Sequence, residues 1–243
     1  AQRAYVALLP RAHDCGIDAH CEFLTHGGLY DWDAGRAPEG APLRNPLRDP
    51  RVRAFLRLLK QRHVTLDPTL VVFESLFTDR PGVVGEGTAA VADRMPPLVR
   101  RSLLEGGLPV PDGKDASYRQ ALTQMQRMLM AVRSAGVPFV AGTDALPGFM
   151  LARELELYVE AGVPAPEVLR IATLDAARLV GREGELGSIA PGKLADMILV
   201  DGDPSRNVGD VRRLRLVIKD GALFDPDALC RALGIQPLAA TGR

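Results

Sequence analysis

Hydrophobic residues recur along this chain with two different periods. Val52, Phe55, Leu56 and Leu59 recur at helical spacing behind Asp49-Pro50, a capping residue followed by a first-turn proline. They predict a helix with one buried face. Tyr118, Leu122, Met125, Leu129 and Val132 do the same over Asp115 to Ser134, and Gly136 ends that helix. Between and after these lie short apolar runs of strand type. Val64 to Val72, interrupted by Asp67-Pro68, reads as one strand, and Val137 to Ala141 as another. A run of about five apolar residues bounded by Gly and Pro is the signature of a buried parallel strand. Two more helices are predicted at about 149–161 and 166–179, with Gly162 ending the first and Pro166 opening the second. A helix-like stretch from Ala4 to Cys15, closed by Gly16, precedes a short run from Cys21 to Leu24.

The alternation of helices and strands predicts βα units around a parallel sheet. It stops near Gly181. Beyond it, Asp196 to Val200 and Val211 to Ile218 read as strands, and Asp220-Gly221 is a two-residue hairpin signal leading to Ala222–Phe224. Two stretches are less regular. Residues 35–50 are a Gly/Pro-rich loop, and 78–114 read as a loop insertion of lid type, with an apolar, potentially helical part near 88–104. The chain divides on this pattern into 1–180 and 181–243.

Composition narrows the function. Hydrophobic residues make up 47% of the 243 positions and charged ones 25%, so a sizeable core can form. Lys plus Arg and Asp plus Glu are both 30, and a chain of zero net charge lacks the basic excess of a nucleic-acid binder. The alternating run Arg212-Arg213-Leu214-Arg215 reads as a solvated strand face. No apolar stretch approaches the roughly 18–20 residues needed to span a bilayer. The three cysteines, Cys15, Cys21 and Cys230, do not form an even disulfide set and fit buried thiols or a reducing, cytoplasmic setting.

Among residues that carry chemistry, Asp144 stands out. It follows Val137 to Ala141 through Gly142 and Thr143, where a strand stops and a loop begins. In an α/β barrel, catalytic groups and metals are placed at that edge. The alternative is that Asp144 caps the next helix. His13, Cys15, His20, Cys21 and His26 crowd one segment with metal-ligating types, but in none of the usual structural zinc spacings. Cys15 and Cys21 read as core thiols, and His63 as the end of a helix. Tyr158 and Glu154 share one helix region and could support the site from behind, but they read first as packing and solvent residues.

Several motifs resemble the metal-dependent amidohydrolases, nearest their imidazolonepropionase-like and Xaa-Pro-dipeptidase-like members. Gly136-Val137-Pro138-Phe139-Val140-Ala141-Gly142-Thr143-Asp144 is similar to that family's last barrel strand. Glu154-Leu155-Glu156-Leu157, Glu160-Ala161-Gly162-Val163 and Ala172-Thr173-Leu174-Asp175-Ala176-Ala177-Arg178 are similar to the helices that follow it. Gly187 to Val200 is similar to its return into a small β domain. The resemblance implies the last strands of a (β/α)8 TIM-type barrel followed by part of a small β-sandwich. It implies a divalent metal, one or two zinc ions, and hydrolysis of an amide, cyclic amide or dipeptide C–N bond. Asp144 would be metal ligand and catalytic base, His26 in Thr25-His26-Gly27-Gly28 a metal ligand from the sixth strand, and Gly142 and Thr143 supporting residues near the substrate. Asp67-Pro68-Thr69-Leu70 resembles the end of the seventh strand. The family's His-x-His has no counterpart here, so the resemblance also implies the C-terminal piece of a longer enzyme. It implies a small-molecule partner, no nucleic acid and no membrane, and leaves a homo-oligomer open. The competing readings are a non-catalytic binding scaffold and a structural-zinc module built on His13, Cys15, His20 and Cys21.

Overall fold

The computed structural model describes residues 45–146 and 148–238. The expectations for Ala4 to Cys15, the Cys/His segment and His26 lie outside them. A 3-10 turn at Pro46–Arg48 leads into α1, Pro50–Gln61. Asp49 caps α1 by accepting the Arg51 N–H at 2.8 Å, and Val52, Phe55, Leu56 and Leu59 are its buried face, as their spacing predicts. α5, Asp115–Ala135, ends at Gly136 in the left-handed conformation that glycine adopts without strain (φ 69°). α6 spans Leu151–Ala161 and α7 Ala165–Arg170. A π-helical turn at Ile171–Asp175 joins α7 to the short α8, Ala176–Leu179. α1, α5, α6, α7 and the helix after Thr69 pack into one apolar core around Leu56, Val71, Leu129, Leu157, Tyr158 and Val168.

Two extended segments run through this core side by side. Leu66 and Phe139 form a parallel bridge, in which the Leu66 N–H donates to the Pro138 carbonyl and the Val140 N–H to the Leu66 carbonyl, both at 2.9 Å. The first segment is shorter than its hydrophobicity predicts. Val71 and Val72 belong to a helix, α2, at Leu70–Thr78, not to a strand. Pro68 ends the extended run. Thr69 turns the chain in a left-handed conformation (φ 47°, ψ 46°), costly for a β-branched residue.

No residue local to α2 caps it. The cap comes from α6, where the Glu154 carboxylate accepts the Leu70 N–H at 2.9 Å and the Val71 N–H at 2.7 Å. Glu154 is fully buried, so its expected place in solvent is corrected: a carboxylate facing two free N–H groups of a helix N-terminus satisfies them and complements the helix dipole. Burial nonetheless pushes its pKa up to about 7, against the pull of the Val71 and Leu70 N–H groups.

Its neighbour Arg153 makes the second link between α6 and α2. The guanidinium grips buried Glu74 through two hydrogen bonds, at 2.9 and 2.6 Å, and also donates to Glu160 at 2.7 Å. Burial works against the charge on Arg153, but Glu74 and Glu160 outweigh it and raise its pKa above the usual range. On the same helix Glu156 pairs with Arg212 at 2.8 Å. Arg212 therefore ends a 3-10 turn at Val208–Arg212 and ties it to α6, rather than lying on a solvated strand face.

The less regular segment 78–114 carries two short helices, α3 at Glu86–Ala92 and α4 at Pro97–Ser102. Val91 and Met95 form a small second core with Ile235, and the Gln236 N–H donates to the Arg94 carbonyl at 2.9 Å. After α8, β1 (Met197–Val200), β2 (Leu214–Lys219) and β3 (Ala222–Phe224) make an antiparallel sheet in the order β1-β2-β3, and α9 (Pro226–Ala232) follows. Asp220 and Gly221 both take positive φ, 50° and 79°, as a tight hairpin between β2 and β3 requires. Among the described residues no helix is long and apolar enough to cross a membrane.

Arg153→Met should lower unfolding free energy by about 3–5 kcal/mol, because it leaves Glu74 charged and buried without its partner. Adding Glu74→Gln should recover part of that loss in urea titrations. Glu154 predicts a pH dependence. Its folded pKa lies above the unfolded one, so its stability contribution is intact below about pH 4.5 and lost as pH rises through about 7. Relative to Glu154→Gln, the parent protein should lose on the order of 3 kcal/mol between pH 5 and pH 8. A pH-independent difference between the two would show that Glu154 titrates normally.

Candidate active site

The parallel bridge, a single Leu66–Phe139 pair, brings the ends of two extended segments together. Asp67 directly follows Leu66, and Gly142, Thr143 and Asp144 follow Val140. The Asp67 carboxylate reaches across and accepts the Gly142 N–H at 2.8 Å. The approach is so close that a Cβ on Gly142 would lie 2.1 Å from Asp67 Oδ2, so any other residue there would push the Asp67 carboxylate away. What comes close to the Gly142 backbone is thus the Asp67 side chain.

Asp144 is exposed and takes a left-handed conformation, φ 43°. It does not cap the following helix: α6 begins only at Leu151, behind Met150. Thr143 lies half-buried between Gly142 and Asp144. Left-handed non-glycine residues therefore stand just beyond both strands, Thr69 after one and Asp144 after the other. Such local strain collects at functional sites and persists where surrounding contacts hold it.

Electrostatics couples the two carboxylates. The Asp67 pKa is raised, first because the protein partly desolvates its carboxylate, and also because Asp144 adds negative charge; the Gly142 N–H pulls the other way.

Behind these ends lies α6. Glu154 and Tyr158 are one turn apart on its buried face. Glu154 holds the start of α2, three and four residues after Asp67. Tyr158 donates its hydroxyl to the Val140 carbonyl at 2.8 Å, two residues before Gly142, and packs edge-on against Phe139 with ring centroids 5.5 Å apart. Burial drives the Tyr158 pKa well above the usual phenol value, and the Glu154 charge adds to it, so the hydroxyl stays a donor.

A groove of about 550 Å³ opens beside the 137–140 segment, lined by Thr65, Phe139, Arg133, Glu167, Arg170 and Asp175 among others. Its guanidinium groups are already matched: Arg133 with Glu167 and Arg170 with Asp175, each at 2.6 Å. It flanks the 137–140 segment rather than its end, and neither Asp67 nor Asp144 lines it.

Of the residues singled out in the sequence, Gly142, Thr143 and Asp144 stand together at one of these ends. His26 lies outside the described residues, as do His13, Cys15, His20 and Cys21. Cys230 is a free, half-buried thiol. Among the described residues no group of three His, Cys, Asp or Glu side chains is arranged to hold a metal ion. Asp144 fits the oxygen-donor chemistry of a divalent ion as one ligand of a set. The sequence offered Glu154 and Tyr158 only as the second choice of supporting residues, and Asp67 only as part of a strand-end resemblance; the contact of Asp67 with Gly142 had no signal along the chain.

Comparison with known proteins agrees with this geometry. The model of the amidohydrolase family matches residues 11–224. Over 106 residues the chain is 36% identical to the 5-methylthioadenosine/S-adenosylhomocysteine deaminase of Symbiobacterium thermophilum, covering 39% of this chain and 23% of that protein. Over 71 residues it is 39% identical to the imidazolonepropionase of Caldanaerobacter subterraneus subsp. tengcongensis, covering 27% of this chain and 17% of the relative. A solved Xaa-Pro dipeptidase with bound methionine in its active site superposes with a TM-score of 0.51 and 25% identity, over 73% of this chain and 37% of that one. The matched stretches thus span less than a quarter of the two curated relatives. With a family match over most of its length, and an aspartate exposed at the end of a parallel-paired strand, the chain belongs to the amidohydrolase family.

Proposed function

We propose that this chain forms part of a metal-dependent hydrolase of C–N bonds, with Asp144 as metal ligand and general base. The observation that carries the reading is the placement of Asp144: exposed, left-handed, and beyond a strand paired in parallel with the one that ends at Asp67. In this reading the two extended segments are the last strands of a (β/α)8 barrel within residues 1–180. The three-stranded sheet belongs to a small β domain within 181–243.

A zinc-type ion, when bound, would supply Lewis-acid activation of water and of the scissile carbonyl. Asp144 would hold that ion together with His26 and further ligands from outside the described residues. As base, its carboxylate takes a proton from the attacking water and passes it to the leaving nitrogen, since amide cleavage needs both transfers. The Gly142-Thr143 backbone sets where that carboxylate stands. The substrate class is a small amide, a cyclic amide or a dipeptide. The imidazolonepropionase and dipeptidase relatives support that range, and the deaminase relative extends C–N chemistry to exocyclic amines.

The test is hydrolysis by the natural protein, loaded with Zn²⁺, of a panel holding Ala-Pro, an N-acetyl amino acid and a cyclic amide. Asp144→Asn should retain the fold by circular dichroism and lower kcat by about 10²–10⁴. Activity within tenfold of the parent would remove Asp144 from the mechanism. His26→Ala should reduce bound zinc after dialysis with little change in melting temperature. Normal zinc content together with a large loss of stability would assign His26 to the fold instead.

A further inference from the structure

The exposed aspartate needs a reason to hold its position. Asp144 follows Gly142-Thr143 in a left-handed conformation, and α6 starts only at Leu151. A contact that fixes this turn is the hydrogen bond from the Gly142 N–H to Asp67. Asp67 is itself fixed from two sides. Upstream, Leu66 is bonded into the parallel bridge on both its N–H and its carbonyl. Downstream, the Asp67-Pro68-Thr69 turn is closed where Glu154 takes the Leu70 and Val71 N–H groups. One turn along α6, Tyr158 holds the Val140 carbonyl at the other strand. The same helix face thus secures both strand ends, and Asp67 bridges the gap between them.

We propose that Asp67 is a positioning residue for Asp144, acting through the Gly142 N–H, with Glu154 and Tyr158 of α6 holding the two strand ends in register. The inference rests on the reading of Asp144 as a metal ligand and base. A carboxylate at residue 67 has two qualities for this role. Its oxygen is an acceptor for the backbone N–H, and its length brings that oxygen into direct contact with the Gly142 backbone. An asparagine retains that carbonyl-type acceptor, whereas an alanine does not.

The experiment compares Asp67→Asn and Asp67→Ala in the natural protein, with two readouts. The first is amide hydrogen exchange at Gly142, which needs neither substrate nor metal. Losing the acceptor should speed exchange in Asp67→Ala by about tenfold, the equivalent of one hydrogen bond, while Asp67→Asn stays near the parent. The second is Zn²⁺ affinity, by competition with a chromophoric chelator. Asp67→Ala should weaken it by about 10–100-fold, as loss of a partner behind a ligand does, and Asp67→Asn should restore most of it. A general loss of structure would affect neither readout in this selective way, because the isosteric variant rescues both. Unchanged Gly142 exchange in Asp67→Ala overturns the proposal. So does faster exchange with unaltered zinc affinity, provided Asp144→Asn weakens zinc binding. Should Asp144→Asn leave zinc binding intact, it is the ligand reading of Asp144 that fails, and Gly142 exchange still decides whether Asp67 holds the turn.

Discussion

A carboxylate with no exposed surface takes the first free N–H groups of a helix that has no cap of its own. Glu154 reaches from α6 to Leu70 and Val71 and thereby decides where the extended segment after Val64 stops and α2 begins. The interaction is not cheap: burial of the charge lifts the Glu154 pKa to about 7, so near neutral pH the group is held close to its titration point. Its geometric consequence is that Pro68 and Thr69 must turn sharply, and Asp67 is left standing at the end of the strand. Without that cap, the Leu70 and Val71 N–H groups at the start of α2 would have no acceptor.

Three adjacent or near-adjacent side chains of α6 then divide the work of joining separate parts of the chain. Arg153 binds Glu74 in the body of α2, Glu154 binds the start of α2, and Glu156 binds Arg212 in the turn before β2. Tyr158 completes the set at Val140. Ion pairs this deep contribute little net stability, because desolvation offsets the attraction. Each partner is costly if left alone, which favours the arrangement of helices that keeps them together. That arrangement sets Asp67 against Gly142 and presents Asp144 to solvent. Asp144 thus stays accessible while the elements around it remain packed.

Much of the fold was legible in the sequence for local reasons. Asp49-Pro50 marks a helix start, and Val52, Phe55, Leu56 and Leu59 give its inner face. Gly136 and Gly162 mark helix ends, and Asp220-Gly221 marks the hairpin. Each of these depends on a few neighbouring residues: a cap, a ring that fixes φ, a backbone free to take positive φ, or a side-chain period. The position of Asp144 at a strand end was legible for the same reason, from five apolar residues and a glycine. The family membership came from longer motifs of the same local kind, in residues 136–200.

The assignments that failed all depend on partners far away along the chain. Val71 and Val72 suit a strand by propensity, yet they are helical because a carboxylate more than eighty residues later caps them. Glu154 looks like a solvent residue by type, and it is buried because two N–H groups await it. Arg212 looks like part of a basic strand face, and it turns inward because Glu156 lies within reach. The pairing of Asp67 with Gly142 is likewise invisible along the chain, since it exists only once two strands lie in parallel. Local periodicity and turn chemistry determined which elements form and where Asp144 falls in them. Tertiary structure decided which charges are buried and which carboxylate holds the Asp144 turn, because hydrogen bonds and desolvation depend on what is near in space.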